Sequence, residues 1–378
     1  MACARGAFAS SDLLDQAHAA ASDRYGADDV DRALGADRLD LRDVAALLSD
    51  AAAGATEALA QRARAVTLQR FGRAVRLFAP LYVSNACLST CTYCGFSKDL
   101  DVARRTLTPA EVADEARLLA ARGFRSLLLV AGEHRRDVSP DYLVECAVRV
   151  AAVVPQVAIE TQTWDRDVYA RLAAAGVEGA VHYQETYDRG RYAEVHRLGW
   201  KRDYDRRLCA VEDASRSGLR RIGLGVLVGL HADWRADVLA LAAHARWLQR
   251  TAWGVEVTVA LPRMKPSAAD DQPRAVLDDA TYVRALCALR LALPDAGIVL
   301  STREGAALRD GLAQICVTSM SAGSSTEPGG YSSPGVAQEQ FSVSDERPPA
   351  EVAAALDAMG YEPVWKDAFA LSPSAEVF

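Results

Sequence analysis

The chain has 378 residues, half of them hydrophobic and 25% charged, with a formal net charge of −7 and a pI near 5.5. That mixture excludes wholesale disorder, and the acidic balance argues against a strongly nucleic-acid-binding chain, which would show a basic face. No run of roughly 18 apolar residues offers a membrane span, and Met1–Asp12 lacks the regions of an export signal, so the expected location is cytoplasmic.

Residues 1–75 carry no strand pattern and predict a helical extension. Its helices are Leu13–Arg24, Val30–Leu34, Val44–Leu48 and Glu57–Arg70, with breaks at Gly26, Gly35 and Gly54. From about residue 76 short apolar or β-branched runs alternate with longer helical stretches. The runs, read as strands, are Val75–Val83, Ser126–Val130, Val157–Ile159, Gly179–His182, Arg221–Val228, Val255–Ala260, Gly297–Leu300 and Gln314–Thr318. Helix starts between them are explicit. Thr108-Pro109-Ala110-Glu111 is a capping box with proline at the first helical position, and Ser139-Pro140 opens the next helix likewise. Asp233 caps a helix with an apolar face of Val238, Leu241, Ala242, Ala245 and Leu248.

Eight strand–helix units in about 245 residues predict an α/β fold, a closed (β/α)8 barrel of the TIM type over 76–325. A lid or capping segment over 326–378 follows it. An open doubly wound sheet is the alternative. It requires a nucleotide fingerprint after the first strand, where this chain has Ser84-Asn85-Ala86-Cys87. In a barrel the chemistry sits on loops after the C-terminal strand ends. Polar residues follow at least seven of the eight strands here, including Glu133, Glu160, Glu185, Arg263, Arg303 and Ser321. Solvated loops would also be polar, but repetition at one end points to a shared pocket.

Eight cysteines are present, and in a chain of this length without an export signal they do not suggest disulfides. Cys87, Cys91 and Cys94 have the spacing C-x3-C-x2-C; Cys3, Cys146, Cys209, Cys287 and Cys316 are scattered and read as small buried hydrophobes. A structural zinc wants four protein ligands, and no fourth Cys or His is near. Three thiolates on a four-iron cluster leave one iron open to a small molecule.

An aromatic residue before the third cysteine, with the motif at the end of the first barrel strand, resembles the signature of radical S-adenosylmethionine enzymes. Further segments narrow the resemblance to the aromatic amino acid lyases of that class: Cys91-Thr92-Tyr93-Cys94-Gly95-Phe96-Ser97, Thr186, Ile222-Gly223-Leu224-Gly225, Leu300–Glu304, Pro328-Gly329-Gly330-Tyr331 and Pro363-Val364-Trp365-Lys366-Asp367. The likeness runs from about residue 76 to 367 and is greatest to the tyrosine lyase of thiamine thiazole biosynthesis.

The resemblance implies a [4Fe–4S] cluster on Cys87, Cys91 and Cys94. Its open iron would chelate S-adenosylmethionine, and reductive cleavage would release a 5′-deoxyadenosyl radical. Glu133 would face the methionyl ammonium and Arg207 the methionyl carboxylate, with Glu185 near the ribose and Tyr93 against the adenine. Arg303 and Ser321 would anchor the carboxylate of L-tyrosine, and Tyr82 could join them. The radical would take a hydrogen from the amino group, and the Cα–Cβ bond would break to give 2-iminoacetate and p-cresol. Arg263, Glu160 and Gln162 are placed toward the phenol. The Gly- and Ser-rich Ser321–Tyr331 would form a lid, with the N-terminal helices and an Ala350–Met359 helix adding to the closure.

The implied partners are thiazole synthase and a flavodoxin-type or ferredoxin-type electron donor; neither nucleic acid nor membrane is expected. Two relatives within the class are alternatives. The tyrosine lyase of hydrogenase maturation carries a second, C-terminal cysteine-bound cluster, whereas the last cysteine here is Cys316. A tryptophan lyase making 3-methyl-2-indolic acid shares Tyr82, Arg303 and a serine near Ser321, and matches less well around Tyr93–Ser97. A non-catalytic iron–sulfur module would account for the cysteines but not for the polar groups after the other strands.

Overall fold

The computed structural model describes residues 8–366, so Cys3 and Asp367 lie outside the described residues. Four helices come first: α1 (Leu13–Ser22), α2 (Ala27–Gly35), α3 (Leu41–Leu48) and α4 (Thr56–Phe71). α3 starts where Asp40 and Asp43 each accept the other's backbone N–H, a reciprocal cap. Strands and helices then alternate as β1 (Ala74–Ser84), α5 (Pro109–Ala121), β2 (Ser126–Ala131), α6 (Pro140–Ala151), β3 (Gln156–Glu160), α7 (Arg166–Ala174) and β4 (Val177–Glu185). Two helices, α8 (Arg189–Val195) and α9 (Tyr204–Ser215), lead to β5 (Arg221–Val226). The chain continues through α10 (Trp234–Thr251), β6 (Glu256–Ala260), α11 (Asp279–Ala292), β7 (Gly297–Leu300), α12 (Ala306–Ile315) and β8 (Ser319–Ser321). It ends in α13 (Pro349–Ala358) and β9 (Glu362–Val364).

All strand pairings are parallel, and β1 pairs with both β2 and β8, which closes the barrel. The caps expected at Thr108, Ser139 and Asp233 all form, each side chain accepting an N–H three residues on. The eighth strand, however, is Ser319–Ser321 and not Gln314–Thr318. Gln314 and Ile315 finish α12, and the buried Cys316 and Val317 form its exit, so that apolar run marks a helix end. β9 has only three residues, too few for a periodic signal, and runs parallel to the foot of β1. Arg76 faces Ser319 on one edge and Val364 on the other, so β9 shares the edge of β1 that β2 occupies from Ala79 onward.

α1 packs along α10, and α3 and α4 along α11, with Val44, Leu47, Leu48 and Leu59 fully buried. These helices do not close the pocket: none of the described residues before β1 lines it, because their apolar faces are spent on the outer helical layer. α13 likewise packs on α12 and β9 as the helix following β8. Among the described residues no helix is long and apolar enough to cross a membrane.

The two ends of the barrel differ in kind. At the foot, Arg221 pairs with Glu256 and Glu178 at 3.0 Å each, and Arg76 joins Glu256. Burial opposes the charge of Glu256, but the two arginines hold its carboxyl down to about 2. At the top, the sheet register slips between Tyr82 and Ser84 and again between Tyr183 and Glu185. Glu185 has φ +71, the one positive φ outside glycine among the described residues. A further slip lies near the foot, between Val157 and Ala158 of β3, so what sets the top apart is the strained non-glycine backbone at Glu185, where a side chain is re-aimed.

Beyond β8 the chain is tied down by a buried ionic network. Arg309 of α12, fully buried, donates to Asp345 and to the Ser321 carbonyl, while Arg347 donates to Asp345 at 2.8 Å and to Asp310 at 2.9 Å. Removing one charge from a buried pair leaves the other uncompensated. Asp345→Asn should therefore lower the unfolding free energy by about 3–5 kcal/mol. Adding Arg309→Met should recover a large part of that loss, as read from denaturant midpoints; equal midpoints for wild type and Asp345→Asn would show that the network carries no stability.

Candidate active site

β1 delivers the chain to the cysteine loop through Asn85, which is fully buried. Its side-chain amide donates to the carbonyls of Ala103 (2.8 Å) and Gln338 (3.1 Å), and its oxygen accepts the Arg105 N–H (2.7 Å). Arg104 winds the return of the loop around itself, donating to the carbonyls of Asn85, Phe96, Ser97 and Leu100. Cys87 Sγ accepts the Ser89 N–H and Cys94 Sγ the Phe96 N–H, both at 3.4 Å. Gly132, after β2, allows close approach to this loop: a Cβ there would lie 2.4 Å from the Ala86 carbonyl and 3.1 Å from Cys87 Cβ.

Burial pushes the Cys87 thiol up to about 11 and raises Cys91 and Cys94, and Cys87 and Cys94 each raise Cys91 further. Thiolates in this place need bound cationic charge, as iron provides. Among the described residues no three His, Cys, Asp or Glu converge tightly enough for a single metal ion. The loop offers three thiols and no fourth Cys or His, a donor set that would suit a cluster better than one zinc. The seven described cysteines form no disulfide, and Cys146, Cys209, Cys287 and Cys316 are buried away from the loop.

The polar groups expected around the cofactor do meet at the mouth. Glu133 and Arg207 form an ion pair at 3.1 Å, with both side chains under a tenth exposed. The other Glu133 oxygen accepts from Ser89 Oγ at 3.0 Å, and Arg207 Nε donates to the Tyr183 carbonyl at 2.8 Å. Tyr93 Oη lies 2.8 Å from His196 Nε2, and burial together with Lys201 and Arg207 drives His196 well below its ordinary value, so it is neutral. Glu185 accepts from Lys201 Nζ at 2.6 Å. Lys201 is a site residue that the sequence reading missed; it faces the Tyr93 ring at 5.7 Å and lines the main cavity. Its one signal is rarity, as one of four lysines among 43 basic residues.

That cavity, about 1120 Å³ with its mouth included, opens beside Cys94 and holds Tyr82, Glu160, Arg303 and Ser321 together. Tyr82 donates to Gln340 Oε1 at 2.7 Å. Ser321 Oγ accepts the Thr302 N–H at 3.2 Å. Arg303 lies 3.4 Å over the Phe341 ring and has no carboxylate within 4.0 Å among the described residues; its guanidinium makes a long 3.5 Å contact to the Arg263 carbonyl, and its backbone N–H donates to Ser301 Oγ at 3.4 Å. Glu160 is pushed up to about 7 by burial and Glu185, against the pull of Lys201, Arg207 and Arg303.

Two expectations for the phenol are corrected. Arg263 is spent on Glu304 at 3.0 Å and Asp279 at 2.8 Å, and the fully buried Gln162 donates to the Val138 carbonyl at 3.0 Å; neither lines the cavity. The cover takes in the first part of the expected Ser321–Tyr331 stretch and extends beyond it to Gln340 and Phe341. Tyr331 reaches down to the Pro80 carbonyl (2.6 Å), and its N–H is held by Glu115 of α5. Ser324, Thr326, Gln340 and Phe341 are the covering residues that line the cavity, and Gln340 also reaches Cys94 Sγ at 3.8 Å.

Comparison with known proteins agrees with this geometry. Residues 81–244 match the Radical SAM superfamily, and residues 260–362 match the Biotin and Thiamin Synthesis associated domain. The solved structure of the FeFe-hydrogenase maturase HydG from Carboxydothermus hydrogenoformans superposes with a TM-score of 0.84 at 30% identity, covering 94% of this chain and 84% of that one. Methylornithine synthase shares the fold, with a TM-score of 0.71 at 21% identity over 89% of this chain and 97% of that one. The 2-iminoacetate synthase of Escherichia coli (strain K12) is 42% identical over 339 residues, 90% of each chain. With the three-cysteine loop, the buried acid–arginine pair and the enclosed arginine all in place, an identity of that extent shows that the chain belongs to the 2-iminoacetate synthase family of radical S-adenosylmethionine enzymes.

Proposed function

We propose that the chain cleaves the Cα–Cβ bond of L-tyrosine, giving 2-iminoacetate and p-cresol. The observation that carries this reading is Arg303, a guanidinium enclosed in the cavity beside Cys94 with no carboxylate partner among the described residues. Half-buried in the cavity wall, this guanidinium feels Glu160 and Glu185 only at longer range, and a substrate carboxylate gives it a direct, charge-assisted fork partner. Cys87, Cys91 and Cys94 would hold the cluster, which with S-adenosylmethionine would supply the radical chemistry.

The protein's part is binding and orientation. Glu133 and Arg207 present a carboxylate and a guanidinium side by side, complementary to the ammonium and carboxylate of the methionyl group. Glu185 and Tyr93 serve the ribose and adenine. Arg303 takes the tyrosine carboxylate as a fork and Ser321 adds a hydrogen bond, while Tyr82, its hydroxyl donated to Gln340, walls the pocket beside them, and the amino group is turned toward the cluster side. Glu160 ends β3, which stands opposite β7, the strand before Arg303, in the eight-strand order. It is the acceptor left for the phenol hydroxyl at the far end of the substrate.

The imine product hydrolyses in water, so an enzyme that consumes it, of the thiazole synthase type, is the fitting partner. A flavodoxin-type or ferredoxin-type donor supplies the electron. The cytoplasm, where thiols stay reduced, suits both the free cysteines and the cluster. The deciding experiment offers free tyrosine and free tryptophan separately to the reconstituted enzyme. p-Cresol from tyrosine is expected; an indolic acid from tryptophan with nothing from tyrosine would replace this substrate.

Anaerobic reconstitution should load about four irons per chain. Alanine at Cys87, Cys91 or Cys94 should abolish iron loading, whereas alanine at Cys146 or Cys287 should leave it intact. One zinc and no labile sulfide after anaerobic preparation would contradict the assignment.

Glu133→Gln keeps the shape and removes the charge. A charge-assisted hydrogen bond is worth about 1.5–3 kcal/mol, so affinity for S-adenosylmethionine should fall about 10- to 100-fold while the iron content holds. Unchanged affinity in a binding titration would remove Glu133 from the site.

Arg303→Lys keeps the charge and loses the planar fork. Misplacement of about 1 Å can cost roughly 100-fold in rate, so p-cresol formation should fall on that scale while deoxyadenosine is still formed. A wild-type ratio of the two products, with wild-type tyrosine affinity, would mean that the carboxylate is held elsewhere.

A further inference from the structure

β4 ends on a residue in a conformation that it would not keep by itself. Glu185, at φ +71, follows the slip in register between β4 and β5, and side chains other than glycine rarely adopt that left-handed region. Such a residue persists only where its surroundings over-determine it. Its carbonyl accepts the Leu227 N–H at 2.8 Å, and its carboxylate accepts from Lys201 Nζ at 2.6 Å. The chain leaving it is held from the other side, by α10.

The grip comes from Asp237, in the first turn of that helix. One oxygen, Oδ1, accepts both the Thr186 hydroxyl at 3.0 Å and the Tyr187 N–H at 2.6 Å. Thr186 Oγ1 in turn accepts the Asp188 N–H at 3.2 Å. Further along the same face of α10, His244 Nδ1 lies 2.9 Å from Tyr187 Oη. Phe8 stacks on that imidazole with ring centroids 4.0 Å apart. Tyr187 is thus held at both ends by one helix, its backbone by Asp237 and its hydroxyl by His244.

A carboxyl group at this depth is costly. Asp237 is 3% exposed, and burial pushes it up to about 7 against the Tyr187 N–H and the Thr186 hydroxyl, with Asp188 and Asp233 adding to the rise. His231 Nδ1 stands off at 3.9 Å from its second oxygen. Asp237 does not line the main cavity, and no step described above uses it. An apolar side chain in its place would carry no such penalty, so the acid is there for its two donors. The residue immediately before those donors is Glu185.

We propose that Asp237 is a positioning residue for S-adenosylmethionine: by fixing Thr186 and Tyr187 it keeps Glu185 in its strained conformation, with the carboxylate turned into the mouth beside Lys201 and toward the ribose hydroxyls. The inference rests on the reading that Glu185 serves the ribose. Asp237 acts through Glu185 and not by contact. A carboxylate held in place before the ligand arrives removes the ordering cost that a mobile one would add to binding.

The test titrates the reconstituted enzyme with S-adenosylmethionine and, separately, with L-methionine, which has no ribose. Asp237→Leu leaves both donors without an acceptor. It should weaken S-adenosylmethionine binding about tenfold, the scale of one charge-assisted hydrogen bond, as should Glu185→Gln. Methionine affinity and iron content should match wild type in both. The double variant should bind no more weakly than Glu185→Gln does, because the two changes remove one interaction. Asp237→Asn keeps the accepting oxygen and should restore affinity. Thr186→Val loses the hydroxyl at nearly constant shape and tests the same brace should leucine prevent folding; it too should lose affinity for S-adenosylmethionine and not for methionine. Losses that multiply in the double variant, or that fall equally on methionine, would overturn the positioning role. Wild-type binding by a folded Asp237→Leu chain, with weak binding by Glu185→Gln, would overturn this proposal alone. Wild-type binding by Glu185→Gln would overturn the ribose reading and this proposal with it.

Discussion

The mouth of the barrel depends on one buried ion pair, Glu133 with Arg207. Glu133 also holds Ser89 of the cysteine loop, and Arg207 also holds the Tyr183 carbonyl at the bulge in β4. The cysteine loop, the end of β2, the end of β4 and α9 therefore meet on two charges. Desolvating such a pair costs several kcal/mol per ion and is offset only when the remaining donors and acceptors are used, as they are here. An apolar pair would hold these elements with less penalty. It would not present a carboxylate beside a guanidinium, which is the mirror of an amino acid's own ammonium and carboxylate.

Deeper in the cavity the opposite rule applies, and charge is left uncommitted. Lys201 and Glu185 pair with each other, whereas Arg303 has an aromatic face, a long carbonyl contact and only the longer-range attraction of Glu160 and Glu185, and Glu160 is pushed up to about 7 because burial and Glu185 outweigh the nearby cations. Such groups destabilise the empty pocket and lower the cost of binding a zwitterion, since their reorganisation is already complete. The barrel tolerates the strain because its foot is closed by the Arg76–Glu256–Arg221–Glu178 chain and its outer helices are buried in apolar contact.

The parts of this arrangement legible in the sequence are local ones. Capping boxes, the cysteine spacing and seven of the eight barrel strands lie within windows of a dozen residues, where periodicity and side-chain chemistry speak directly. The parts that were not legible are set by distant partners. Arg263 resembles a substrate ligand until Glu304, 41 residues on, claims it. Lys201 acquires its place only when α9 and the loop before it fold over the cysteine loop, bringing Lys201 N–H to Ser89 Oγ. Gln340 and Phe341 sit in a stretch with no regular secondary structure, and only the return of the chain over β1 and β7 makes them walls. β8 was displaced because a buried helix exit and a buried strand carry the same short apolar run.

That return of the chain has a chemical reason. A pocket that generates a carbon radical must exclude water and stray hydrogen donors, yet Tyr82 and Tyr93 both stand in its wall. Burial keeps each phenol protonated, so neither is removed from the problem by ionisation. Their hydroxyls are engaged instead: Tyr82 donates to Gln340, and Tyr93 meets a neutral His196. Gln340 does this from the covering segment while its amide reaches Cys94 and its carbonyl accepts the Gly95 N–H at 3.1 Å. The residue that closes the cavity is thus also the one that occupies the nearest phenol and touches the cysteine loop. Closure, quenching of a competing hydrogen donor and contact with the cluster site are one structural event, and a cover that fitted loosely would fail at all three.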